Sequence, residues 1–223
     1  MSPRIVDLSV TVTSETKGPP STNVRVELEP RRRGPGFWQV SHIYESLHTG
    51  AHIDSPLHCF ADGATMIETP LEKVIGPAAL FDLSHVGANQ PVTATQLEHA
   101  DPGIRGGEIA LLHTGWTDHM YGTFPDYFTE SPYLDIGGAQ WLVARRPSAV
   151  VFDFFEEYMA RFPDFTSEDF VVHRELLGNG IVIVEGATNL GALKGAPSIQ
   201  FFAPFFKLAG TEGAPARLFA LIE

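Results

Sequence analysis

Residues 181–186 read IVIVEG, a short and almost continuous apolar run that ends in a glutamate and a glycine. Similar runs occur at 78–83 (AALFDL), 109–116 (IALLHTGW) and 149–155 (AVVFDFF). Strands with this pattern are typically covered on both faces, as in the sheets of α/β proteins. The four runs therefore predict the interior strands of a sheet that has helices on its faces.

Further strands are predicted towards both ends of the chain. The segments IVDLSVTV (5–12) and VRVELE (24–29) alternate apolar and polar residues, as a strand with one buried face does. Two more apolar runs, at 201–210 and 216–223, indicate strands near the end of the sequence. The Gly- and Pro-containing stretch RRRGPG (31–36) is predicted to be a loop.

Three helices are predicted between these strands. Thr93 or Thr95 is a candidate N-cap for a short helix over QLEHA. Residues 135–146 carry an apolar stripe that ends before a proline. In the segment 166–180, a Thr-Ser pair supplies the N-cap, acidic residues fill the first turn, and glycines end the helix. The mixture predicts an α/β fold, with a mixed β-sheet core and helices packed on it.

Length and composition restrict the class of protein. The 223 residues are 43% hydrophobic, which predicts one globular domain over residues 1–223. A formal net charge of −12 argues against binding to nucleic acid or to an anionic membrane surface, since both favour a basic face. Cys59 is the single cysteine, so no disulfide can form within the chain. With no signal-peptide pattern at the start, we expect a cytoplasmic protein.

The segment HTGAHIDSPLH (48–58) concentrates three of the nine histidines beside an aspartate. Imidazole nitrogen and carboxylate oxygen are ligands that zinc, manganese and iron take at about 2.0–2.2 Å. In an extended chain every second residue shares a face, which would place four polar side chains together: His48, His52, Asp54 and His58. The pattern predicts a metal site, and the alternative is a set of hydrogen-bonded or surface histidines.

The geometry of this segment requires a bend. A helix is disfavoured because Gly50 and Pro56 interrupt it. A straight strand would separate His48 from His52 by about 13 Å, at roughly 3.3 Å per residue, which is long for two ligands of one ion. We therefore expect the chain to turn near Gly50, where glycine permits unusual backbone angles.

Other parts of the chain offer further ligands and a base. Three protein ligands would leave one position of the metal open to water, as catalytic sites do. His58 is a candidate general acid/base for that water. Glu185 ends an apolar strand and His173 lies on a predicted helix, so both are candidate additional ligands. The alternatives are a salt bridge or helix-cap contact for Glu185 and a helix-surface position for His173.

Residues 48–58 resemble the signature H-x-G-T-H-x-D-x-P-x-H of the cyclase-like metal-dependent hydrolases, which include bacterial kynurenine formamidase and isatin hydrolase. The one departure at a fixed position is Ala51 in place of threonine, which removes a hydroxyl and no ligand. The resemblance also covers three later regions of the chain: 60–83 with 111–119, 173–190 and 210–220.

The resemblance implies a swivelling β/β/α domain that assembles as a homodimer or homotetramer. In the formamidase branch one metal would be held by His48, His52 and Asp54. A second would be held or bridged by Asp54, His173 and Glu185, with His58 as general acid/base. The isatin hydrolase branch instead uses one metal, often manganese. The resemblance therefore implies one or two divalent ions, zinc or manganese.

Two departures bear on the substrate. The region after the first strand, TSETKGPPSTN, lacks the tryptophan of the formamidase branch, and the usual Asp-x-x-Ser becomes FDFFEEY, in which Asp153 is kept and aromatics follow. These changes argue against formylkynurenine itself. Candidate side chains for a pocket that takes a flat ring are Phe37, Trp38, Phe154 and Phe155, and the alternative is that they are ordinary core aromatics.

Two other features are given structural interpretations. The basic run Arg31–Arg33 could attract an anionic substrate, but short charge runs are usually exposed to solvent. Cys59 follows His58 directly, and adjacent residues of an extended chain point to opposite faces. Cys59 is therefore predicted to be a buried structural thiol and not a nucleophile.

Together these observations predict a metal-dependent hydrolase that cleaves the amide-type C–N bond of an aryl formamide or a cyclic amide. The substrate is expected to be a small and aromatic molecule. Hydrolysis of a lactone is an alternative with the same site. A polyketide-type cyclase or lyase is a second alternative, and a metal-binding protein without turnover is a third.

Overall fold

A computed structural model describes residues 3–22 and 24–223. One nine-stranded sheet contains strands from both ends of the chain, in the order β1-β13-β11-β5-β7-β9-β10-β4-β12. Two further pairs, β2-β3 and β6-β8, stand apart from it. The thirteen strands of the described residues are β1 Arg4–Asp7, β2 Glu27–Arg33, β3 Trp38–Tyr44, β4 His52–Asp54, β5 Ile75–Asp82, β6 Pro91–Val92, β7 Ile109–His113, β8 Tyr133–Leu134, β9 Ala149–Phe152, β10 Val182–Glu185, β11 Ile199–Phe202, β12 Gly213–Pro215 and β13 Phe219–Ile222.

The four apolar runs form the centre of the sheet, as predicted. Strands β5, β7, β9 and β10 are parallel neighbours, and the outer strands join them antiparallel. Alternate residues of one strand enter different cores: Val150 of β9 packs in one apolar cluster and Val151 in the other. The sheet is therefore covered on both faces, which confirms the α/β fold with a mixed sheet.

Five α-helices accompany the sheet in the described part of the chain: α1 Ala94–Ala100, α2 Trp116–Met120, α3 Asp126–Thr129, α4 Ile136–Arg145 and α5 Val171–Gly178. Thr93 caps α1 through a capping box with Gln96, and Asp135 caps α4 by accepting a hydrogen bond from Gly138 N. The third predicted helix is divided in two. Thr166 caps a single 3₁₀ turn over residues 167–169, and α5 begins after Phe170. No described helix is both long and apolar enough to cross a lipid bilayer.

The first strands differ from their predicted bounds. β1 ends at Asp7, well before residue 12. The predicted loop at 31–36 is wrong in its first half, because the arginines 31–33 continue β2 and pair with residues 38–40 of β3. The cis peptide bond between Gly34 and Pro35 lies in the turn of this hairpin. Local turn chemistry marked the turn correctly, but cross-strand pairing set where the strands end.

Strands β2 and β3 form a hairpin (residues 27–44) whose residues are all exposed. Apolar side chains lie on both of its faces: Trp38 and Val40 share one face, and Leu28 and Ile43 are directly opposite each other on the other. Phe37, at the turn, is 82% exposed. A two-stranded ribbon with so much exposed apolar surface is marginal by itself in water.

Candidate metal centre

The segment 48–58 folds around a tight turn and a three-residue strand. Gly50 has φ +64°, so the bend expected at this glycine is present. A Cβ on the nearby Gly186 would lie 2.2 Å from the Gly50 carbonyl oxygen, so both positions depend on glycine. The chain then enters β4, which is central to this part of the sheet because β10 and β12 flank it.

Sheet register brings the first set of metal-ligating side chains together. His52 is the antiparallel partner of Glu185, and Asp54, two residues on, shares its face. His52 Nε2 lies 3.6 Å from Asp54 Oδ1 and 3.7 Å from Glu185 Oε2. His52 Nδ1 lies 2.9 Å from the Gly50 carbonyl oxygen, to which it donates in the tautomer that leaves Nε2 free to bind a cation.

A second set is centred on His173 of α5, which is buried. Its Nε2 lies 3.2 Å from Glu185 Oε1, 3.4 Å from Glu156 Oε1 and 3.7 Å from Asp54 Oδ2. Its Nδ1 faces Glu157 Oε2 at 3.2 Å, and the same oxygen accepts hydrogen bonds from the backbone of the first turn of α5. Glu157 therefore holds the ring with Nε2 directed at the carboxylates.

His48 lies at the edge of this group. Its Nδ1 is 2.8 Å from Asp54 Oδ1, outside hydrogen-bond alignment, and its Nε2 contacts Glu212 Oε1 at 3.2 Å. Burial opposes protonation of His48, but the Asp54 carboxylate raises its pKa to about 10. The hydrogen bond from His48 lowers the pKa of Glu212 to about 2.

His58 does not continue the extended face, because Pro56–His58 form a 3₁₀ turn with proline at its start. The ring still reaches the cluster: it stacks on His48 with centroids 4.1 Å apart and lies 5.5 Å from the His173 ring. Burial lowers the pKa of His58 to about 4, although the Asp54 carboxylate acts in the opposite sense. His58 is therefore a neutral imidazole at pH 7.

Buried carboxylates concentrate negative charge here. Burial would raise the pKa of Asp54, but the imidazoles of His52 and His48 lower it well below its usual value. Burial would also raise the pKa of Glu185. The charge of His52 and a hydrogen bond from His173 outweigh it and lower that pKa to about 2. For Glu156 burial prevails, and the neighbouring Glu185 carboxylate adds to it, so its pKa is well above the ordinary value.

The donor set fits a divalent cation. Within residues 3–22 and 24–223, three overlapping groups have ligand atoms within 4.8 Å of one another: His48–Asp54–His58, His52–Asp54–Glu185 and Glu156–His173–Glu185. Both oxygens of Asp54 and of Glu156 are buried without a hydrogen-bond partner among the described residues. Leaving such oxygens unpaired is costly, and nitrogen and carboxylate donors are those that zinc, manganese and iron take.

The cluster opens on a cavity of about 350 Å³. His58, His173 and Glu185 line one part of its wall. Aromatic side chains line much of the remainder: Tyr121, Tyr127, Phe128, Phe154, Phe155, Phe165 and Phe170. Two of the four aromatic residues proposed from the sequence, Phe154 and Phe155, are thus at the cavity. Phe37 and Trp38 lie on the exposed hairpin and are not among the lining residues.

Asp153 and Cys59 lie near the cluster and make contacts that support the fold. Asp153 accepts hydrogen bonds from Thr114 N and Gly115 N and contacts His113 Nδ1 at 2.8 Å, so it ties the end of β7 to the end of β9. Cys59 is half-buried, where full burial was predicted, and packs against the apolar cluster that contains Val150. Burial raises the pKa of its thiol to about 11.

Sequence reasoning missed three acidic residues of the site: Glu156, Glu157 and Glu212. The first two follow the apolar run of β9, and consecutive glutamates directly after a buried strand were a usable signal. Glu212 precedes β12 and approaches His48 only because β12 pairs with β4. No local pattern in the sequence indicates that contact.

Comparisons with known proteins agree with this geometry. The family model described as "Putative cyclase" matches residues 6–156. The kynurenine formamidase of Geobacillus thermodenitrificans (strain NG80-2) is 32% identical over 183 residues, which cover 82% of this chain and 79% of that protein.

Solved structures give the same relationship. A potential metal-dependent hydrolase with cyclase activity superposes with a TM-score of 0.74 at 26% identity and covers 100% of this chain and 99% of its own. Isatin hydrolase A from Labrenzia aggregata, bound to benzyl benzoate, superposes with a TM-score of 0.80 over 99% of this chain and 94% of its own. At 23% identity that second likeness concerns the fold alone.

Proposed function

This chain belongs to the cyclase family and is a metal-dependent hydrolase that acts on carbon–nitrogen bonds, and we propose that it hydrolyses a small aromatic amide, either an aryl formamide or a cyclic amide. One observation carries the proposal. His52, His173 and Glu185 line the polar end of a cavity whose other walls are largely aromatic, and the buried Asp54 contacts His52 and His173.

The cluster would hold one or two divalent cations, zinc or manganese. The residues proposed as ligands are His48, His52, Asp54, His173 and Glu185. A bound cation of this class supplies a Lewis acid, which lowers the pKa of water toward about 7 and stabilises negative charge on a carbonyl oxygen. The chain prepares its ligands by fixing two imidazole rings, with the Gly50 carbonyl behind His52 and the Glu157 carboxylate behind His173.

His58 is the proposed general acid/base. It is neutral at pH 7 and lines the cavity beside the cluster, so its free ring nitrogen can accept a proton from an attacking water molecule. The same ring can return that proton to the amide nitrogen as the C–N bond breaks. The stack on His48 and the edge contact with Phe170, whose centroid is 5.0 Å away, hold the ring in place.

The aromatic walls support a flat substrate. Phe154 and Phe155 come directly after Asp153, whose hydrogen bonds fix the end of β9, so their position follows from the sheet. Aromatic side chains favour a ring by stacking and edge contacts, and they exclude water from the carbonyl to be attacked. The cavity volume, about 350 Å³, is at the lower end of small-molecule sites and suits a compact substrate.

The test is hydrolysis in ¹⁸O-labelled water by protein that has been stripped of metal and reloaded with manganese or zinc. An aryl formamide, isatin and an aromatic lactone are the probes. We expect one labelled oxygen in the product of an amide probe, and no turnover by stripped protein. Turnover of the lactone alone would refute the amide assignment, and a product without labelled oxygen would indicate a cyclase or lyase.

We also propose that the chain forms a homodimer or homotetramer in which a second copy covers the β2–β3 hairpin. Apolar residues on both faces of the hairpin would be buried by such a contact. Charge favours the same occupant. Residues 27–44 carry three arginines and two glutamates, a net charge of +1. Since the whole chain has a net charge of −12, the residues outside the hairpin together carry −13. The slightly basic hairpin of one copy would therefore be attracted to the acidic remainder of the other.

A further inference from the structure

We propose that Glu156 is a further metal ligand of the cluster, which joins His173 and Glu185 at the second of the proposed cation positions. The proposal rests on the metal-dependent function above and adds a ligand to it. Glu156 follows β9, whereas Glu185 ends the neighbouring strand β10 and His173 comes from α5. Three separate elements thus direct ligand atoms to one point, all within 4.8 Å of one another.

Within the described residues, no hydrogen bond or lysine or arginine ion pair explains why the Glu156 carboxylate is buried. It is 0% exposed, and neither of its oxygens has a hydrogen-bond partner in the described part of the chain. Its contact at 3.4 Å is with His173 Nε2, a nitrogen that also faces Glu185 at 3.2 Å and Asp54 at 3.7 Å. One N–H group cannot satisfy three carboxylates, because it carries a single hydrogen.

Charge balance leads to the same conclusion. Four carboxylates lie together in this region with little or no exposure: Asp54, Glu156, Glu157 and Glu185. Within the described residues, no lysine or arginine forms an ion pair with any of them. Buried charge of this density requires compensation. A divalent cation held by these side chains would supply that compensation.

The donor types indicate which cation the position takes. Two carboxylates and one imidazole form a harder set than the histidine-rich sets typical of catalytic zinc. Manganese readily accepts carboxylate oxygen, so we expect manganese to occupy this position. Glu185 takes part in both triads, with Oε2 towards His52 and Oε1 towards His173, so it would bridge the two positions.

The experiment compares manganese binding by wild type, Glu156→Gln and Glu72→Gln. Glu72 is an exposed glutamate of the 3₁₀ segment Leu71–Lys73 and serves as the matched control. Full-length protein is stripped with chelator and titrated with Mn²⁺, and free Mn²⁺ is followed by electron paramagnetic resonance. Thermal unfolding of each protein is recorded with and without Mn²⁺.

We expect wild type and Glu72→Gln to bind about two equivalents, and Glu156→Gln to bind one equivalent unchanged and the other at least tenfold more weakly. Stripped Glu156→Gln should melt no lower than stripped wild type, since it lacks a buried unpaired carboxylate. Its rise in melting temperature on adding Mn²⁺ should be smaller. If Glu156→Gln fails to fold, Glu156→Asp, which keeps the charge but shortens the side chain, should show the same selective weakening.

Two results would overturn the proposal. Unchanged stoichiometry and affinity in Glu156→Gln would show that the carboxylate is not a ligand. A wild-type protein that binds a single equivalent would show that there is no second position, while leaving the proposed hydrolase intact. Wild-type protein that binds no manganese and no zinc would instead refute the proposed function itself.

Discussion

His52 and Glu185 are direct partners across the antiparallel strands β4 and β10, and their ligand atoms lie 3.7 Å apart. The pairing places the candidate metal centre on the sheet itself and not on a mobile loop. Because side chains alternate with period two, a shift of β4 by one residue against β10 would turn His52 to the opposite face of the sheet from Glu185. The geometry of the centre is therefore tied to the packing of the two apolar cores.

Replacing His52 by alanine should remove metal from the purified protein. His52 Nε2 contacts both Asp54 and Glu185, so its loss breaks the His52–Asp54–Glu185 triad. Elemental analysis of untagged protein should show at least one equivalent less of zinc or manganese, with hydrolysis reduced to background. The matched control is the exposed His85→Ala, which should keep its metal. Full metal content in His52→Ala would exclude His52 as a ligand.

Replacing His58 by alanine should reduce turnover by about 10²–10⁴-fold, the usual contribution of general acid/base catalysis. Metal content should be unchanged, because His58 is proposed to move a proton and not to bind the cation. Steady-state kinetics and elemental analysis on the same preparation check both statements, with the exposed His99→Ala as control. Full activity in His58→Ala would remove His58 from the mechanism, and loss of metal would make it a ligand.

Replacing Glu157 by glutamine should weaken metal binding by about 10–100-fold, as loss of a partner behind a ligating histidine does. Glu157 accepts from the backbone of α5 and faces His173 Nδ1, so it orients the ring without being a proposed ligand. Competition with a chelator measures the affinity, and the exposed Glu168→Gln is the control. Wild-type affinity in Glu157→Gln would mean that α5 packing alone orients His173.

Cys59 should be unreactive in the folded protein. Burial raises the pKa of its thiol to about 11, so the thiolate is the minor form at pH 8. Alkylation by iodoacetamide at pH 8 should be about 100-fold slower than in urea-unfolded protein, where a thiol pKa near 8.5 is expected. The rate should rise as the pH approaches 11. Cys59→Ser should retain activity. Loss of activity in this variant while metal remains bound would instead point to covalent catalysis.

Replacing Trp38 and Val40 together by serine should weaken subunit association. Both side chains share one exposed face of the hairpin, and burying their remaining apolar surface against a second copy would stabilise association by about 25 cal/mol per Å². Sedimentation velocity over a range of concentrations should show a shift from dimer or tetramer towards monomer. The exposed Ile67→Ser, outside the hairpin, should not shift it. A wild-type protein that is monomeric at every concentration would refute the proposed assembly.

The sequence by itself determined the class of fold and the chemistry of one segment. Four apolar runs were sufficient for the central parallel strands, because strands buried on both faces carry that signal locally. Thr93 and Asp135 marked helix starts, since capping depends on the next few residues. The spacing within residues 48–58, with glycine at 50, likewise indicated a bent, ligand-rich segment.

Only the tertiary structure decided which distant side chains complete the centre. Glu156 and Glu157 approach His173 because β9 lies beside β10 and α5 packs at the same end of the sheet. Phe154 and Phe155 reached the cavity by the same route, whereas Phe37 was carried away from it on the hairpin. Such contacts follow from strand order, which arises from the packing of the whole core. A short stretch of sequence encodes which residues can bind a metal, but the order of the strands decides which of them meet.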